Sequence, residues 1–573
     1  MSRDDVPAWL NEPEFESETQ QTQQSQQEPK QTQRQTQRGG RSKKHRPLPV
    51  SQDGRIELQI YKGDPVRAID EIDTILHGRG VPIFVQAGRL AMLTPIQLPE
   101  QTLHFYRECP THAPPGYAIV PLNSAKLMCI YGENILMTQY DGRAGEALPI
   151  DPPERLAAMH LARDKWPYAP VRSVASHPIL TYDNVLIDTE GYVAEAQVYI
   201  APGAAIPTVP TAPTQGDARA AYDVLMEPFS EFPCKEPGDW AAIAAAILTI
   251  LHRFTTAGQR PLFLVTSSTR GTGKSRLANL IGTIATGIEP HGDSPTDDPD
   301  EEKKRMLAYA LAGKHVLCFD NIADSLGNAA LDAILTQSSI SGRVLGATRV
   351  VEGDNKFVLF ATGNNPAIAE DTRRRTVEIR IDSGEERPEN RNFTRSWSEL
   401  EAFVAKNRPA LLTAAFTILR AHTLAGKPRI SRSRLGSFEA WDDTIRQAVI
   451  WASGDDPCHR QATAANQAIP ELATLFSALL ESFPAFKEFT VRDIITKASN
   501  SSNLRDAIGE LKGYIVRGNE INAKALGKAI AHFNERTVDG HQLLSRPSRT
   551  GVLCYRLAKV TATTPPEVPE QEF

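Results

Sequence analysis

Hydrophobic and polar residues follow different rhythms along this chain, and the changes in rhythm divide it into segments. After a polar first fifty residues, "RIELQIYKG" alternates with the period of two expected of a strand. "PVRAIDEIDTILHGRG" then repeats its hydrophobic residues at helical spacing and ends at glycine. Short strand-like runs such as "PIFVQAG" and "YAIVPL" follow. Residues 55–205 are therefore predicted to form an N-terminal mixed α+β domain.

The pattern changes at residue 218, where helices begin to alternate with short, continuously hydrophobic runs. This alternation is typical of an α/β domain with a mainly parallel sheet, here predicted over residues 218–425. The most hydrophobic stretch, "WAAIAAAILTIL" (240–251), is too short to cross a bilayer and is predicted to be a buried helix. Residues 206–217, within a proline-, threonine- and alanine-rich stretch, are predicted to be a linker.

The last third of the chain is predicted to contain a helical connector, 426–484, and a small unit, 485–560. In the small unit, three short helical patterns (490–499, 501–513 and 521–536) precede a β-hairpin pattern with a turn near residues 547–551. Helices followed by a hairpin are typical of a winged helix-turn-helix. The fold class is thus α/β, with an N-terminal α+β domain and a C-terminal winged-helix domain.

Charge changes the interpretation of this C-terminal unit. The whole chain has a net charge of −6, so any affinity for nucleic acid must come from local patches. Segment 489–560 is basic, with twelve lysines and arginines against six acidic residues. A DNA-binding role is predicted for one helix face and for the hairpin tip. The candidate residues are Lys524, Lys528 and Arg536 on the helix, with His532 between them, and Arg546 and Arg549 on the hairpin. A winged fold used only for protein contacts is the alternative.

Both ends of the chain are predicted to be disordered: a glutamine-rich and basic tail at 1–54 and a short tail at 561–573. "VPAWLNEPEF" (6–15) is a candidate docking peptide for a replication partner, unless it is an unused tail. The basic run 34–46 is a candidate for non-specific phosphate binding, unless it is simply solvated. The acidic, polar start lacks the features of a signal peptide, and the six irregularly spaced cysteines indicate a reduced, cytoplasmic protein with no membrane partner.

The candidate chemistry begins at "LFLVTSSTRGTGKSRL" (262–277), which lies between a predicted buried strand and a helical pattern. Its end matches the phosphate-binding loop G-x-x-x-x-G-K-[ST], except that Ser268 replaces the first glycine. Backbone N–H groups, a helix N-terminus and one lysine would hold the phosphates of ATP, and Ser275 would hold Mg²⁺. The predicted cofactor-binding residues are Gly271, Thr272, Gly273, Lys274, Ser275 and Arg276.

Three later elements extend this prediction. "HVLCFDNI" (315–322) reads as a buried strand ending in Asp320, a position suited to holding the Mg²⁺ ion, and Asn321 follows it. "FVLFATGNNP" (357–366) places polar side chains, including Asn364, at the end of another strand. "EDTRRRTVEIRID" (370–382) contains Arg374 and Arg375, which either reach a neighbouring subunit's ATP or pair locally with Asp371 and Glu378.

In this order the elements resemble the superfamily 3 helicase type of AAA+ ATPase, and especially replication helicase/primase-like proteins of phages and mobile elements. The resemblance covers roughly 240–420. It implies a hexameric ring that moves on single-stranded or forked DNA, with ATP and Mg²⁺ between subunits. It assigns Lys274, Ser275, Asp320 and Asn364 to the site and the arginine finger to Arg374 or Arg375. The predicted catalytic residues are Lys274, Asp320, Asn321, Asn364, Arg374 and Arg375.

The resemblance also implies a DNA-touching hairpin at 343–356, with Arg343, Arg349 and Lys356 as candidate contacts. The sequence departs from the family at Ser268 and at Asn321, which stands where many ATPases have the glutamate that activates water. The base would then come from elsewhere, with Glu301, Glu302 and Asp324 as candidates.

The leading functional hypothesis is an ATP-dependent DNA helicase of a mobile element. An ATP-switched replication initiator or helicase loader, which binds DNA without unwinding it, is the alternative, and Asn321 favours it. Primer synthesis by residues 55–205 is a third possibility that depends on Asp188 and Glu190, two apart in "LIDTE".

Overall fold

The computed structural model describes most of the chain between residues 49 and 559. The described residues are 49–163, 165–181, 183, 185–204, 207–256, 258–294, 296, 298–322, 325–343, 350–385, 388, 391, 393–431, 433–461, 470–483, 488–511, 516–517, 520–533, 537–538, 541–547 and 553–559. The docking peptide, the basic run and the C-terminal tail predicted above lie outside these residues.

The N-terminal unit is built from small sheets and four helices. Its helices are α1 (Pro65–Gly78), α2 (Glu100–Phe105), α3 (Ser124–Asn134) and α4 (Glu154–Leu161). Its strands are β1 (Ile56–Gln59), β2 (Ile83–Gln86), β3 (Arg89–Pro95), β4 (Tyr117–Pro121), β5 (Ile135–Asp141), β6 (Glu146–Pro149), β7 (Ser173–Ala175), β8 (Ile179–Leu180), β9 (Leu186–Ile187), β10 (Gly191–Val193) and β11 (Val198–Ile200). The strand and helix predicted at its start are confirmed.

The central unit contains the large sheet. Its helices are α5 (Gln215–Met226), α6 (Pro237–His252), α7 (Lys274–Thr286), α8 (Pro299–Leu311), α9 (Ala329–Thr336), α10 (Glu370–Arg373), α11 (Trp397–Leu424) and α12 (Gln447–Ser453). Its strands are β12 (Leu262–Ser267), β13 (His291–Asp293), β14 (Val316–Ile322), β15 (Ser325–Leu326), β16 (Ser339–Arg343), β17 (Val350–Asp354), β18 (Val358–Asn364), β19 (Ala367–Ile368) and β20 (Thr376–Arg380). Helix α6 is buried throughout most of its length, which confirms the buried helix predicted at 240–251.

Five of these strands form one parallel sheet in the order β13–β14–β18–β12–β20. Alternate residues of each strand point to opposite faces, so each face has its own core. Phe263 and Phe360 pack with α6, α7 and α11 on one side, whereas Leu264 and Leu359 pack with α8 and α9 on the other. The chain is therefore a mixed α/β protein whose central sheet is covered by helices on both faces, and all five carboxyl ends meet at one edge.

The N-terminal and central units are joined by a partly buried segment and by direct hydrogen bonds. In the predicted linker, Pro207, Val209 and Pro213 are buried, and Thr214 begins α5 with a capping box. Ser173 and Ser176 donate hydrogen bonds to the carbonyls of Gly313 (3.1 Å) and Thr286 (2.5 Å) in the central unit. The end of the N-terminal unit therefore packs directly against the sheet-bearing unit.

The C-terminal unit has a separate hydrophobic core. Its elements are α13 (Pro470–Ser482), α14 (Val491–Ala498), α15 (Ser502–Glu510), β21 (Val516–Arg517), β22 (Glu520–Ile521), α16 (Ala523–His532), β23 (Thr537–Val538), β24 (His541–Pro547) and β25 (Leu553–Lys559). Strands β24 and β25 pair antiparallel from His541 opposite Lys559 to Pro547 opposite Leu553, which confirms the predicted hairpin. Within the described ranges, none of the helices combines the length and hydrophobicity needed to cross a bilayer.

Candidate active site

The loop 268–273 joins β12 to α7 at the carboxyl edge of the sheet, so the predicted strand–loop–helix context is confirmed. Gly271 and Gly273 adopt φ values of 78° and 91°, in the left-handed region that glycine enters without steric cost. Gly273 immediately precedes the first residue of α7, where helical N–H groups lack internal partners. The loop therefore turns backbone donors and a helix N-terminus towards one space, the arrangement that binds anionic groups such as phosphate.

Lys274 is held in this space by four oxygen atoms. Its Nζ donates to Asn364 Oδ1 at 2.7 Å and to Ser267 Oγ at 2.8 Å. The Thr269 carbonyl and Thr272 Oγ1 lie 3.2 Å away. Burial lowers the pKa of Lys274, and the Asp320 carboxylate opposes that shift. The lysine is thus a partly desolvated cation without a directly bonded acid among the described residues, which suits it to an incoming anion.

Asp320 is the centre of a second cluster, formed by three neighbouring segments. Its Oδ1 accepts hydrogen bonds from Ser275 Oγ at 2.6 Å and from Thr362 Oγ1 at 2.5 Å. The alignment of α7, β14 and β18 at the sheet edge brings these residues together, although 87 positions separate Ser275 from Thr362 in the sequence. The structure therefore joins the predicted serine and aspartate and adds Thr362.

A hydroxyl and a carboxylate supply oxygen ligands that suit Mg²⁺. This ion prefers hard oxygen ligands and typically takes one or two carboxylates, with substrate phosphates and water completing its shell. Ser275 Oγ already lies beside the Asp320 carboxylate, and Lys274 immediately precedes Ser275 in the sequence. These residues would hold the ion beside bound phosphates.

Asn321 has an unusual backbone. Its φ is 57°, and the pairing of β14 with β18 shifts register between Phe319 and Ile322, as in a β-bulge. Its N–H donates to Thr362 Oγ1 at 2.9 Å, and the residue is exposed. Asparagine tolerates this left-handed conformation better than glutamate does. The local backbone therefore favours the residue type that departs from the family pattern.

Most of these groups, Thr362 among them, line one cavity of about 810 Å³. The predicted residues at its polar end are Gly271, Thr272, Gly273, Lys274, Ser275, Arg276, Asp320, Asn321 and Asn364. Its other end is formed by aromatic and aliphatic side chains, among them Phe232, Phe393, Trp397 and Leu400. The Arg276 guanidinium lies 4.9 Å from the centre of the Trp397 ring. One end thus suits charge and the other suits a flat, hydrophobic group.

The hydrophobic end is held by contacts that the sequence analysis did not anticipate. The Glu231 carboxylate accepts hydrogen bonds from the backbone N–H groups of Thr394 (2.6 Å) and Arg395 (3.2 Å). Arg395 also donates to Glu227 at 2.9 Å. These partners are more than 160 positions apart, and no spacing rule in the sequence points to them. Thr362 is different, because it lies two residues before Asn364 on a strand, a period that places both side chains on one face.

Ser268, which replaces the first glycine of the loop pattern, makes a defined contact. Its hydroxyl donates to Asp382 Oδ2 at 2.7 Å, just beyond the end of β20. This hydrogen bond is the main cause of the lowered pKa of Asp382, a shift that burial opposes. The substitution therefore ties the loop to the neighbouring strand without taking a ligand from the cavity.

Arg374 and Arg375 have different surroundings, although they are adjacent. Arg375 donates to the Asp371 carbonyl at 2.7 Å and pairs with Asp332 at 3.2 Å, and 13% of its side chain is exposed. Arg374 pairs with Asp371 at 2.9 Å, but 66% of its side chain is exposed. Neither arginine lines the cavity of its own chain. Arg374 is available to a neighbouring molecule, whereas Arg375 is committed to its own fold.

The two candidate bases for water activation that the structure describes, Glu301 and Glu302, do not line the cavity. Glu302 is buried, accepts a hydrogen bond from Asn328 at 2.9 Å, and has a pKa raised by burial. Glu301 is exposed beside Lys304. Asp324 lies outside the described residues. Among the described residues that line the cavity, the carboxylates belong to Asp320 and Glu231, and Glu231 is occupied by backbone donors.

The described candidates for DNA contact belong to two different parts of the fold, the hairpin β16–β17 and the C-terminal unit. In the hairpin β16–β17, the backbone of Arg343 pairs with Val350, while Arg349 lies outside the described residues. Lys356 follows the hairpin and is half-buried, and burial lowers its pKa to about 8. Lys524 and Lys528 are exposed one turn apart on α16. Arg546 is exposed but pairs with Glu488 at 2.6 Å, and Arg536 and Arg549 lie outside the described residues.

The two carboxylates on which primer synthesis would depend, Asp188 and Glu190, have different surroundings. Asp188 and Glu190 are both exposed, and Glu190 accepts a hydrogen bond from the Gly203 N–H at 2.6 Å. Across the described ranges, no cluster of three or more histidine, cysteine, aspartate or glutamate side chains is placed to hold a metal ion. Glu190 thus has a structural use in stabilising its loop.

No protein-family model matches the chain, and no curated protein matches it in sequence. Solved structures with some likeness include the NrS-1 C-terminal region, residues 305–718, at 11% identity and a TM-score of 0.37, covering 87% of this chain and all of that one. SCCmec type IV Cch, titled an active helicase, gives 13% and 0.33, covering 84% and 97%. JCV helicase gives 10% and 0.19, covering 46% and 72%. Scores this low support no conclusion about this chain.

Proposed function

We propose that this chain is an ATP-dependent DNA helicase of a phage or other mobile genetic element, which translocates as a hexameric ring during replication. The observation that carries the proposal is the convergence of Lys274, Ser275, Asp320 and Asn364 on one cavity at the carboxyl edge of a parallel sheet. Ligands of open parallel sheets bind at this edge. The DNA substrate and the ring come from the superfamily 3 resemblance of the sequence.

In this proposal each side chain has a defined role toward ATP. The loop N–H groups and Lys274 bind the phosphates, and the aromatic end of the cavity takes the base. Mg²⁺ held by Ser275 and Asp320 would supply neutralisation of phosphate charge. Asn364, which accepts a hydrogen bond from Lys274, would orient the γ-phosphate or the attacking water. Arg374, exposed and outside its own cavity, would act on the ATP of an adjacent subunit.

The remaining elements would engage DNA. The hairpin β16–β17 would contact the strand within the ring through Arg343 and Arg349, and Lys356 would contribute from the hairpin base. The C-terminal unit would bind duplex DNA as a winged helix. Lys524 and Lys528 on α16 and Arg546 on β24 would contribute, together with Arg536 and Arg549. The N-terminal tail would recruit a replication partner.

The proposal predicts DNA-stimulated hydrolysis and strand separation by the purified chain. Changing Asp320→Asn keeps the shape of the side chain but removes a charge from the metal site. Nucleotide binding should persist, while hydrolysis should fall at least about 100-fold through lost stabilisation of the transition state. ATP hydrolysis and unwinding of a forked duplex, measured in parallel, test this. Hydrolysis by the wild-type chain without any unwinding would contradict the helicase.

An ATP-switched initiator or helicase loader is the second candidate, and Asn321 favours it, because an amide cannot act as the base. Its test is assembly on DNA rather than hydrolysis. For a switch, Asp320→Asn should still assemble with ATP, whereas Lys274→Ala, which loses the phosphate-binding cation, should not. A helicase instead loses its unwinding activity in both variants.

A further inference from the structure

Thr362 occupies a buried position between the two catalytic candidates of β14. About 1% of its surface is exposed, and its hydroxyl group is shared by both neighbours. Oγ1 donates to Asp320 Oδ1 at 2.5 Å and accepts from the Asn321 N–H at 2.9 Å. A hydroxyl offers one donor and two acceptor sites, so both bonds can form at once. No other polar side chain in the described residues is hydrogen-bonded to both Asp320 and Asn321.

The two bonds act on different features of the site. The first fixes the direction of the Asp320 carboxylate, and the second ties the backbone of Asn321 at the bulge, where φ is 57°. A residue in a sparsely populated conformation persists only where its surroundings hold it. Loss of the hydroxyl would release both the carboxylate and the bulge.

The other hydroxyl that donates to Asp320 belongs to Ser275, which has a second expected role. Ser275 Oγ, at 2.6 Å from Asp320 Oδ1, is also the side chain that would ligate Mg²⁺. When Ser275 turns to the metal, its hydrogen bond to the carboxylate is weakened or lost. Thr362 lies on a different strand and has no such competing role, so its bond remains. Residues that orient a metal ligand in this way commonly change metal affinity or activity 10–100-fold when removed.

We propose that Thr362 is a positioning residue for the metal site: it holds Asp320 in the direction that binds Mg²⁺ and fixes the backbone of Asn321. The inference rests on the proposed nucleotide-binding function and deepens it. It assigns the metal dependence of nucleotide binding in part to a residue of the cavity wall that acts through Asp320.

The test compares Thr362→Val, which has the same shape without the hydroxyl, with Thr362→Ser, which keeps it. The readout is binding of a fluorescent ATP analogue, first without metal and then across a Mg²⁺ titration. Thr362→Val should bind the metal-free analogue as the wild type does, but need about 10- to 100-fold more Mg²⁺ for the full gain in affinity. Thr362→Ser should stay close to the wild type.

Thr266→Val is a matched control on the adjacent strand. Thr266 is also buried, and its hydroxyl finds no hydrogen-bond partner in the part of the chain that the structure describes, so its loss should leave the Mg²⁺ requirement unchanged. Thr362→Ala provides a second hydroxyl-free variant, in case valine does not pack. An unchanged Mg²⁺ requirement in the hydroxyl-free variants would overturn the inference. Loss of metal-free binding in both would overturn it too, because it would make the role one of folding.

The outcome for the wild type separates this inference from the proposed function. If the wild-type chain binds no nucleotide under any condition, the proposed function itself fails. If it binds with a clear Mg²⁺ dependence that Thr362→Val shares, the function stands and the role of Thr362 is wrong.

Discussion

The cavity at the sheet edge and the basic C-terminal unit hold their functional side chains in opposite ways. In the cavity, Lys274 and Asp320 are each fixed by several hydrogen bonds to neighbouring strands and loops. In the C-terminal unit, Lys524 and Lys528 stand on one exposed helix face. Converging groups held by hydrogen bonds define a particular chemistry, whereas exposed cations define only a class of ligand. The case for a nucleotide is therefore stronger than the case for DNA.

The largest expected effect away from the cavity concerns the adjacent arginines. Changing Arg374→Ala should lower hydrolysis by about 1,000-fold, the low end of what an arginine finger contributes. Thermal stability should stay close to that of the wild type, because Arg374 is exposed and paired only at the surface. Steady-state ATPase assays and thermal melts of each variant measure the two effects.

Arg375→Ala should do the reverse. It removes the ion-pair partner of Asp332 and leaves that little-exposed carboxylate with the Thr372 hydroxyl as a neutral donor, so the free energy of unfolding should fall by about 1–3 kcal/mol. Arg219→Ala, at an exposed position on α5, is the control for loss of a surface arginine. Equal loss of stability in the Arg374 and Arg375 variants would remove the distinction drawn between them.

A smaller effect is expected in the C-terminal unit. If Lys524 and Lys528 bind phosphates, replacing both with alanine should weaken DNA binding and reduce the slope of log affinity against log salt by about 2. Binding of the ATP analogue should not change. Fluorescence anisotropy with labelled duplex at several salt concentrations measures this, with Lys62→Ala in the N-terminal unit as the control.

An unchanged salt slope in the Lys524/Lys528 double variant would favour the alternative use of this unit in protein contacts. It would also strengthen the contrast with the cavity, because the prediction of DNA binding by the C-terminal unit rests on charge and not on converging side chains.

The sequence was sufficient for the elements that lie close together along the chain. Strand, glycine loop and helix are contiguous, and the alternation of "FVLFATGNNP" identifies the strand that carries Asn364. What could not be predicted depends on distant contacts. Glu231 anchors a segment 160 residues away, and Arg375 differs from Arg374 because Asp332 lies beside it. The two arginines are adjacent and of the same residue type, so the sequence pattern does not distinguish them. Their different roles follow from tertiary packing.

The backbone conformation of Asn321 is a second feature that could not be predicted from the sequence. In the sequence it stands as a missing glutamate, which bears only on the rate of hydrolysis. In the structure it is a left-handed residue at a bulge, bound to Thr362. A backbone conformation set by the register between two strands has no local signature, because register depends on how both strands pack.

The central claim is that the cavity binds a nucleotide through Lys274. The most direct measurement is a titration of a fluorescent ATP analogue with Mg²⁺ into the wild-type chain, Lys274→Ala and the exposed control Lys235→Ala. We expect saturable binding by the wild type and the control, and a loss of at least about 100-fold in affinity for Lys274→Ala, because the phosphates lose a partly buried, hydrogen-bonded cation. Equal affinities in all three proteins would contradict it.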